Sequence, residues 1–322
     1  MTIPEYSGRS VHVVSVSGGK DSTATLLLAL EHGQRTGEEV RAVWCDTGHE
    51  HPKTVEYVDY LRKTLDVEIV RLAADFTDRI AKKRAFVDEN WPEPRRSRAM
   101  SVLASPTGNP FLDLCLWKGR FPSSRGRFCT GELKVKPIEE YLLSIEAPRV
   151  VSWIGVRRDE SRARASTPDW EHDFNDGNGG GLLRYYPIAG WTAADVFRKH
   201  EECSTEANPL YRQGLSRVGC MPCIMARKSE IHTIAQRWPE EFDRVAEWEK
   251  IVAAASKRGS STLFNVSDDP TFKPEDYDKI DPELHGIWMK AEWAATSRGG
   301  RQLDWTTTAE PAQCTSVYGL CE

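Results

Sequence analysis

The sequence predicts an α/β protein: a doubly wound parallel sheet with a smaller helical, cysteine-bearing C-terminal part. Three observations carry this reading. Short β-branched runs alternate with amphipathic segments over the first 72 residues, a glycine-rich turn separates the first run from the first helix, and after about residue 200 the pattern gives way to cysteines and charged helical segments. Such alternation implies parallel strands joined by right-handed helical crossovers. At 322 residues the chain is near the size where one large domain carries a smaller one. The expected division is 1–200 for the α/β part and 201–322 for the helical region and tail.

The elements follow in order. VHVVSVS at 11–17 reads as a strand, and Asp21 to His32 as a helix with leucines at helical spacing. Val40 to Asp46 is a second strand, Pro52 to Leu65 a helix opened by its proline, and Val67 to Leu72 a third strand. A helix near Phe76 to Phe86 precedes a Pro-, Arg- and Ser-rich stretch from about Trp91 to Arg127, whose weak periodicity reads as a long loop. Regularity returns with a helix near Lys136 to Ser144, a strand at Val150 to Val156, a Gly- and Asp-rich excursion around Asn175 to Gly181, a strand at Leu182 to Pro187 and a helix at Ala193 to His200. Beyond lie the turn-rich NPLYRQG, a charged helical segment from Lys228 to about Lys257, and an irregular tail from Ser297.

Composition excludes several classes. No run of eighteen apolar residues exists, so no membrane span is expected, and the start MTIPEYSGRS lacks a secretory pattern; a cytoplasmic protein is the expectation. Eight cysteines in such a chain point to thiolates rather than a disulfide scaffold. The net charge of −5 argues against a general nucleic-acid binder. Between Arg79 and Lys136, however, thirteen Lys and Arg face five Asp and Glu, which gives either a local anion-attracting face or a solvated surface of mixed charge.

The turn itself is SGGKDS. Gly18 and Gly19 let the backbone approach phosphate oxygens, Lys20 adds a positive charge, and the Ser17 and Ser22 hydroxyls donate, all at the N-terminus of a helix whose dipole favours anions. It is a phosphate cradle. Asp21 after Lys20 departs from the Walker pattern, and the glycine spacing departs from GxGxxG. In an open α/β sheet ligands sit beyond the carboxyl ends of the strands at the switch point. SGGKDS ends the first strand, Asp46 and Thr47 the second, and Gly155 to Arg157 the Val150 strand, so all three are expected at one crevice. There Asp46 and Thr47 would read a ribose or adenine edge. Arg157, ahead of Arg158, Arg162 and Arg164, would clamp phosphate, unless it pairs with Asp159 and Glu160 on a solvated face.

SGGKDS in this position resembles the pyrophosphate loop of the adenine nucleotide α-hydrolase (PP-loop) superfamily, whose fold is a Rossmann-like doubly wound sheet. Five further stretches narrow the resemblance: CDTGHEHPKTVEYVDYL, CTGELKVKP, GVRRDESRAR, PIAGWTAADVF and NPLYRQGLSRVGCMPC. Together, over about residues 11 to 250, they resemble the phosphoadenosine phosphosulfate reductase-like family. That family includes sulfonucleotide reductases, DNA phosphorothioation ATPases and the small subunit of sulfate adenylyltransferase; the motif set is nearest to the phosphorothioation-type iron–sulfur ATPases.

Cys220 and Cys223 form a CxxC within GCMPC, whose glycine and proline make the sharp turn that aims two thiolates at one metal. The resemblance adds Cys129 and implies a [4Fe–4S] cluster on Cys129, Cys220 and Cys223. Structural zinc and a redox dithiol remain alternatives. The fourth ligand stays open among Cys203, Cys314, Cys321 and an iron left open to hold sulfide. Cys45 and Cys115 read as ordinary buried cysteines.

The intact SGGKDS favours ATP with Mg2+ over a sulfonucleotide, because departure of pyrophosphate needs clustered N–H donors and a lysine. Lys20, Asp21, Arg157 and Lys134 are the expected catalytic groups. The tail CTSVYGLCE departs from the ECG(L/I)H end of the reductases. The resemblance then implies adenylyl transfer, with a nucleic-acid acceptor, a sulfur-donor protein and a homo-oligomer as candidate partners. The alternatives are a thiol-dependent reductase of adenylyl or phosphoadenylyl sulfate, and a zinc-stapled nucleotide- or nucleic-acid-binding module.

Overall fold

A computed structural model describes residues 3–4, 6–174, 180–264 and 280–296. Six strands form one sheet: β1 Ser10–Val16, β2 Glu39–Cys45, β3 Ile69–Leu72, β4 Arg149–Trp153, β5 Trp170–Phe174 and β6 Gly181–Tyr185. Their spatial order is β3-β2-β1-β4-β6-β5, parallel throughout except for β5, which runs antiparallel to β6 at the edge. The chain winds outward from β1 through β2 to β3, then returns to place β4 on the other side of β1. The switch point therefore lies between β1 and β4.

Period-two alternation sorts the strand residues between two covered faces. Val14 and Val16 pack with Leu26 of α1 (Lys20–Thr36) and with Tyr57 and Leu61 of α2 (Pro52–Thr64). Val11 and Val13 face the opposite way, into a core with Ile138 and Leu142. Every residue of β1 and β4 is buried, as expected of central parallel strands covered on both sides. α1 ends on Gly37, whose φ of 74° lets its N–H return to the Gly33 carbonyl at 2.8 Å. α2 starts with proline in its first turn and with the His51 ring accepting the Lys53 N–H.

The stretch 91–127, expected as a loop, holds two helices, after α3 (Thr77–Asn90): α4 (Arg95–Val102) and α5 (Pro110–Lys118). α5 buries Phe111, Leu112, Leu114, Cys115 and Leu116, so apolar residues fall on all its faces and leave no 3.6-residue stripe to read. α4 buries Ala99 alone and gives no stripe either. β5 was not expected: WEHDF sits at an edge, pairs on one side only and is mostly polar.

A short turn α6 (Phe128–Thr130), a π-helical turn (Gly131–Val135) and α7 (Lys136–Leu143) then run on without a break, and α7 supplies Ile138 and Leu142. After β6 come α8 (Ala193–Glu202), α9 (Pro209–Arg212), α10 (Lys228–Arg237), α11 (Pro239–Ala254), α12 (Pro282–His285) and α13 (Ile287–Ala295). The segment expected as one helix from Lys228 is two, broken at Trp238, because a residue preceding proline is pushed out of the helical region. The largest core is helical and discontinuous in sequence. Ile80, Val87, Leu103 and Leu114 pack in it with Leu210, Ile231, Phe242 and Ile287, so chain from both sides of residue 200 builds the helical lobe. The tail, with Cys314 and Cys321, lies outside the described residues, as does the excursion at 175–179.

Candidate functional site

The SGGKDS loop leaves β1 at Ser17 and becomes α1 at Lys20, with Gly19 as the N-cap. Gly18 has a φ of 81°, and a Cβ there would meet Thr54 Cγ2 at 2.8 Å, so both the conformation and the approach of α2 require glycine. Ser22 Oγ donates to the Gly19 carbonyl at 3.0 Å and lies 3.0 Å from Ser17 Oγ, which closes the loop on itself. Gly155, just beyond β4, lies against the same turn; a Cβ on it would meet the Asp21 carbonyl and the Ser22 nitrogen at 3.0 Å. The end of β4 therefore touches the first turn of α1 across the switch point.

Asp21 is fully buried between two cations. Lys20 Nζ lies 2.8 Å from Oδ2, and Arg157 Nε lies 2.6 Å from Oδ1. Arg157 also pairs with Asp159, while Arg158 turns away to Asp169 and Arg164 to Glu160. Of the four arginines in GVRRDESRAR, these contacts bring Arg157 to the loop. From the other side, Asn208 Nδ2 donates to the Gly18 carbonyl at 3.0 Å, His200 Nε2 lies 2.8 Å from the Lys20 carbonyl, and the Lys20 amide donates to the Tyr211 hydroxyl at 3.0 Å. These three braces come from residues 180 to 191 positions away.

Asp46 and Thr47 end β2 at the same edge. Asp46 pairs with Arg71 and accepts the Gly48 N–H at 2.8 Å. Thr47 is fully buried; its hydroxyl donates to Glu50 Oε1 at 2.6 Å and its amide to Oε2 at 3.1 Å. Both groups are thus committed to the turn, and Thr47 faces a second pocket.

That pocket is where three cysteines converge. Cys129, Cys220 and Cys223 line it with Lys134, Arg127 and Arg217, between the π-turn and the chain after α9. Bridge pairing of Glu50 with Cys220, and the Met221 N–H on the His49 carbonyl at 2.8 Å, dock the CxxC turn against the β2 turn. N–H groups point at one sulfur, the Met225 N–H to Cys223 Sγ at 3.4 Å and Arg217 to the same atom at 4.0 Å, while Thr47 Oγ1, whose proton goes to Glu50, lies 3.7 Å from Cys220 Sγ. Burial pushes Cys129 up to about 11 and Cys220 up to about 12, so without a metal both are thiols. Burial would depress the Lys134 ammonium, but the fields of Cys220 as a thiolate, of Glu50, and of Cys223 and Cys129 as thiolates lift it above the ordinary lysine range. Sulfur donors, N–H···S contacts and a buried ammonium suit an anionic iron–sulfur centre, whose potential such neighbours tune. Lys134 is presented by the π-turn, a local irregularity frequent at functional sites.

The structure thus gathers Ser17, Gly18, Gly19, Lys20, Asp21, Ser22, Gly155 and Arg157 at one place, and Cys129, Lys134, Cys220 and Cys223 at a neighbouring one. Cys203 stands apart from the thiols, at the end of α8 with its sulfur 3.6 Å from Glu31 Oε1. Cys45 and Cys115 are buried in apolar cores, and burial raises both thiols. Tyr211, Asn208, His200, Glu50 and Arg217 were missed; the first three act on the loop through contacts between distant segments, while Glu50 and Arg217 lie in CDTGHEHPKTVEYVDYL and NPLYRQGLSRVGCMPC, where spacing gives neither a role. A separate trio, His12, His32 and Glu38, brings its ligand atoms within 4.8 Å of one another. Trp153 Nε1 donates to His12 Nδ1 at 2.9 Å, so the neutral ring carries its proton on Nε2 and gives it to Glu38 at 3.1 Å. That trio is a satisfied hydrogen-bond cluster.

A family profile for the phosphoadenosine phosphosulfate reductase domain matches residues 11–104 and 115–226. An uncharacterised 37.8 kDa protein of Escherichia phage 186 is 46% identical over 337 aligned positions, covering 98% of each chain. An adenosine 5'-phosphosulfate reductase of Streptomyces coelicolor is 29% identical over 202 positions, 62% of this chain and 67% of that one. Among solved structures, a phosphoadenylyl-sulfate reductase from Candida auris aligns with a TM-score of 0.39 at 15% identity, over 65% of this chain and 80% of the other. Among the described residues no helix is long and apolar enough to cross a membrane. Because that profile matches more than half of its length, the chain belongs to the phosphoadenosine phosphosulfate reductase domain family of the PP-loop superfamily.

Proposed function

We propose that this protein binds ATP at Ser17–Ser22 and cleaves it between the α- and β-phosphates, in the service of sulfur transfer to a nucleic acid. The observation that carries the reading is the Lys20–Asp21–Arg157 cluster at the N-terminus of α1, on the switch point. Two cations held by one buried carboxylate stand beside helix N–H groups, a setting suited to the charge that develops on departing pyrophosphate. In the proposed step an acceptor oxygen attacks the α-phosphorus, the bond to the β-phosphate oxygen breaks, and pyrophosphate leaves; Mg2+, when bound, would supply further positive charge to that leaving group. The adenylylated oxygen then departs as AMP when a sulfur nucleophile attacks the carbon or phosphorus that bears it.

Lys20 and Arg157 would hold the phosphate oxygens, and Asp21 would fix both side chains before the nucleotide arrives. Cys129, Cys220 and Cys223 would hold an iron–sulfur cluster, which when bound supplies redox and sulfur-handling chemistry beside Lys134. A second reading, reduction of an adenylyl sulfate to sulfite by a thiol, is favoured by the match to the Streptomyces reductase.

The test is anaerobic purification with iron, sulfide and zinc analysis, then incubation with ATP and Mg2+ while AMP and pyrophosphate are assayed, with adenylyl sulfates in parallel. Iron and sulfide with pyrophosphate release are expected. Sulfite from an adenylyl sulfate with no ATP cleavage would overturn the ATP reading in favour of the reductase, and zinc with neither activity would sink both.

A further inference from the structure

The backbone between Cys220 and Cys223 is gripped by two side chains that are not thiols. Arg244 Nη2 donates to the Met221 carbonyl at 3.0 Å, and His49 Nε2 lies 2.9 Å from the Pro222 carbonyl. The same Arg244 nitrogen reaches His49 Nδ1 at 3.4 Å. A guanidinium can only donate, so Nδ1 accepts, the ring proton sits on Nε2, and Nε2 donates to the Pro222 carbonyl. Both carbonyls between the two cysteines are therefore taken, one by each member of a pair that also bonds to itself.

The pair is fixed in turn by the helical lobe. Arg244 stands on α11, where it pairs with the buried Glu241 and lies over the Trp248 ring at 5.0 Å. The His49 ring stacks on Phe111 of α5 at 4.3 Å and 19°. Burial and the Arg244 charge push His49 down to about 3, so the ring is neutral and keeps one tautomer at ordinary pH.

Among the described residues the three ligand atoms that lie within 4.8 Å of one another are those of His12, His32 and Glu38, so at least one pair of the sulfurs of Cys129, Cys220 and Cys223 stands farther apart than that. With zinc–sulfur bonds of about 2.3 Å, thiolates arranged tetrahedrally on one zinc stand about 3.8 Å apart. In a four-iron cluster each thiolate binds its own iron, and the sulfurs stand farther apart. Gathering all three round a single ion requires the CxxC turn or Cys129 to move. The turn is held by its carbonyls, and Cys129 by α6, which runs on into the π-turn and α7.

We propose that Arg244 and His49 are positioning residues that hold the CxxC turn at a span suited to a cluster and so keep a single zinc ion from claiming the thiols. The proposal deepens the reading of the thiol pocket as an iron–sulfur site and rests on it. Partners that orient ligands from outside typically change metal affinity by about 10–100-fold.

The experiment purifies the full chain anaerobically from cells supplied with iron and zinc together, and counts iron, sulfide and zinc. The full chain, freed of metal by a chelator, is then titrated with cobalt(II), whose visible bands report tetrahedral thiolate coordination. Two pairs of variants divide donor from bulk. His49→Gln keeps an N–H donor and loses the ring, whereas His49→Phe keeps the ring and loses the donor. Arg244→Lys keeps a charged donor, and Arg244→Met has none. In His49→Phe and Arg244→Met the iron-to-zinc ratio is expected to fall, and cobalt to bind more tightly, by about tenfold or more. His49→Gln and Arg244→Lys should stay closer to the unaltered chain, and Lys250→Gln, an exposed position on α11, should match it. Circular dichroism checks the fold, and if one of the donor-free variants unfolds the other decides.

A milder effect for His49→Phe than for His49→Gln would mean that the ring only packs, and would overturn the clamp. Zinc taken in preference to iron by the unaltered chain also overturns it. Iron and sulfide in the unaltered chain with every variant alike sinks the clamp and leaves the iron–sulfur reading standing. If the unaltered chain carries neither iron nor zinc, the iron–sulfur reading fails and the cobalt titration decides the clamp alone: tighter binding by the donor-free variants sustains it, and equal binding sinks it.

Discussion

The hydroxyl of Tyr211 accepts the backbone N–H of Lys20 at 3.0 Å, so the first amide of α1, a group suited to phosphate, is held by a side chain from α9. A ligand oxygen must displace that hydroxyl to use the amide. Tyr211→Phe removes the competitor, and ATP affinity measured by calorimetry should rise about fivefold, the equivalent of one modest hydrogen bond. A fall instead would mean that the hydroxyl stays with the bound phosphate.

Gly155→Ala tests the contact across the switch point. The new Cβ would stand 3.0 Å from the Asp21 carbonyl and the Ser22 nitrogen, backbone atoms that cannot swing aside. A loss of about 1–3 kcal/mol in urea unfolding is expected, together with weaker nucleotide binding because the loop is displaced. Unchanged binding would show that the loop tolerates the shift and that the close approach has no bearing on phosphate.

Lys20→Ala and Cys220→Ser should separate the two sites. The first is expected to lower pyrophosphate release by about 100-fold or more, in line with the loss of one preorganised donor, with iron content intact. The second should lower iron content first and leave equilibrium ATP binding close to that of the unaltered protein. If both changes unfold the chain or abolish both properties together, the division into a nucleotide loop and a thiol site fails.

Glu249 gives a pH signature in the helical lobe. Its carboxylate oxygens accept the Leu263 and Ile287 amides at 2.7 and 2.9 Å, and burial pushes it up to about 7. A carboxyl raised from 4.5 keeps its proton in the folded state where the unfolded chain has lost it. Its contribution is therefore full below pH 4.5 and lost as pH rises through 7. His12 and His49, pushed by burial to about 4 and about 3, act in the opposite sense below pH 6.5. The diagnostic is thus the difference between the unaltered chain and Glu249→Gln, which should move in the variant's favour by on the order of 3 kcal/mol between pH 4.5 and pH 8. A difference independent of pH would show that the carboxyl titrates normally.

Much of the fold was legible because its signals are local. Strand, glycine turn and helix follow one another within 27 residues from Ser10 to Thr36, and the switch-point rule alone brings Gly155 and Arg157 to the loop. α5 was not legible, since a helix buried on every side shows no stripe, and β5 was not, since its polar residues occupy a sheet edge. Asp46 and Thr47 were placed at the right strand end, but the buried Glu50, three residues beyond Thr47, takes both polar groups of that threonine. Tyr211, Asn208 and His200 brace the loop across nearly two hundred positions, a contact that no periodicity encodes.

The sequence-discontinuous helical core sets an order on the birth of the molecule. At a synthesis rate of about 5–20 residues per second, α3, α4 and α5 leave the ribosome several seconds before α10 and α11, whose Ile231 and Phe242 they must meet. During that interval Leu103, Leu114 and Leu116 have no partner from the second half of the lobe. The nascent chain is therefore most open to aggregation and to chaperone capture while it is half made, and a ribosome stalled after β6 would release a chain carrying an orphaned apolar surface.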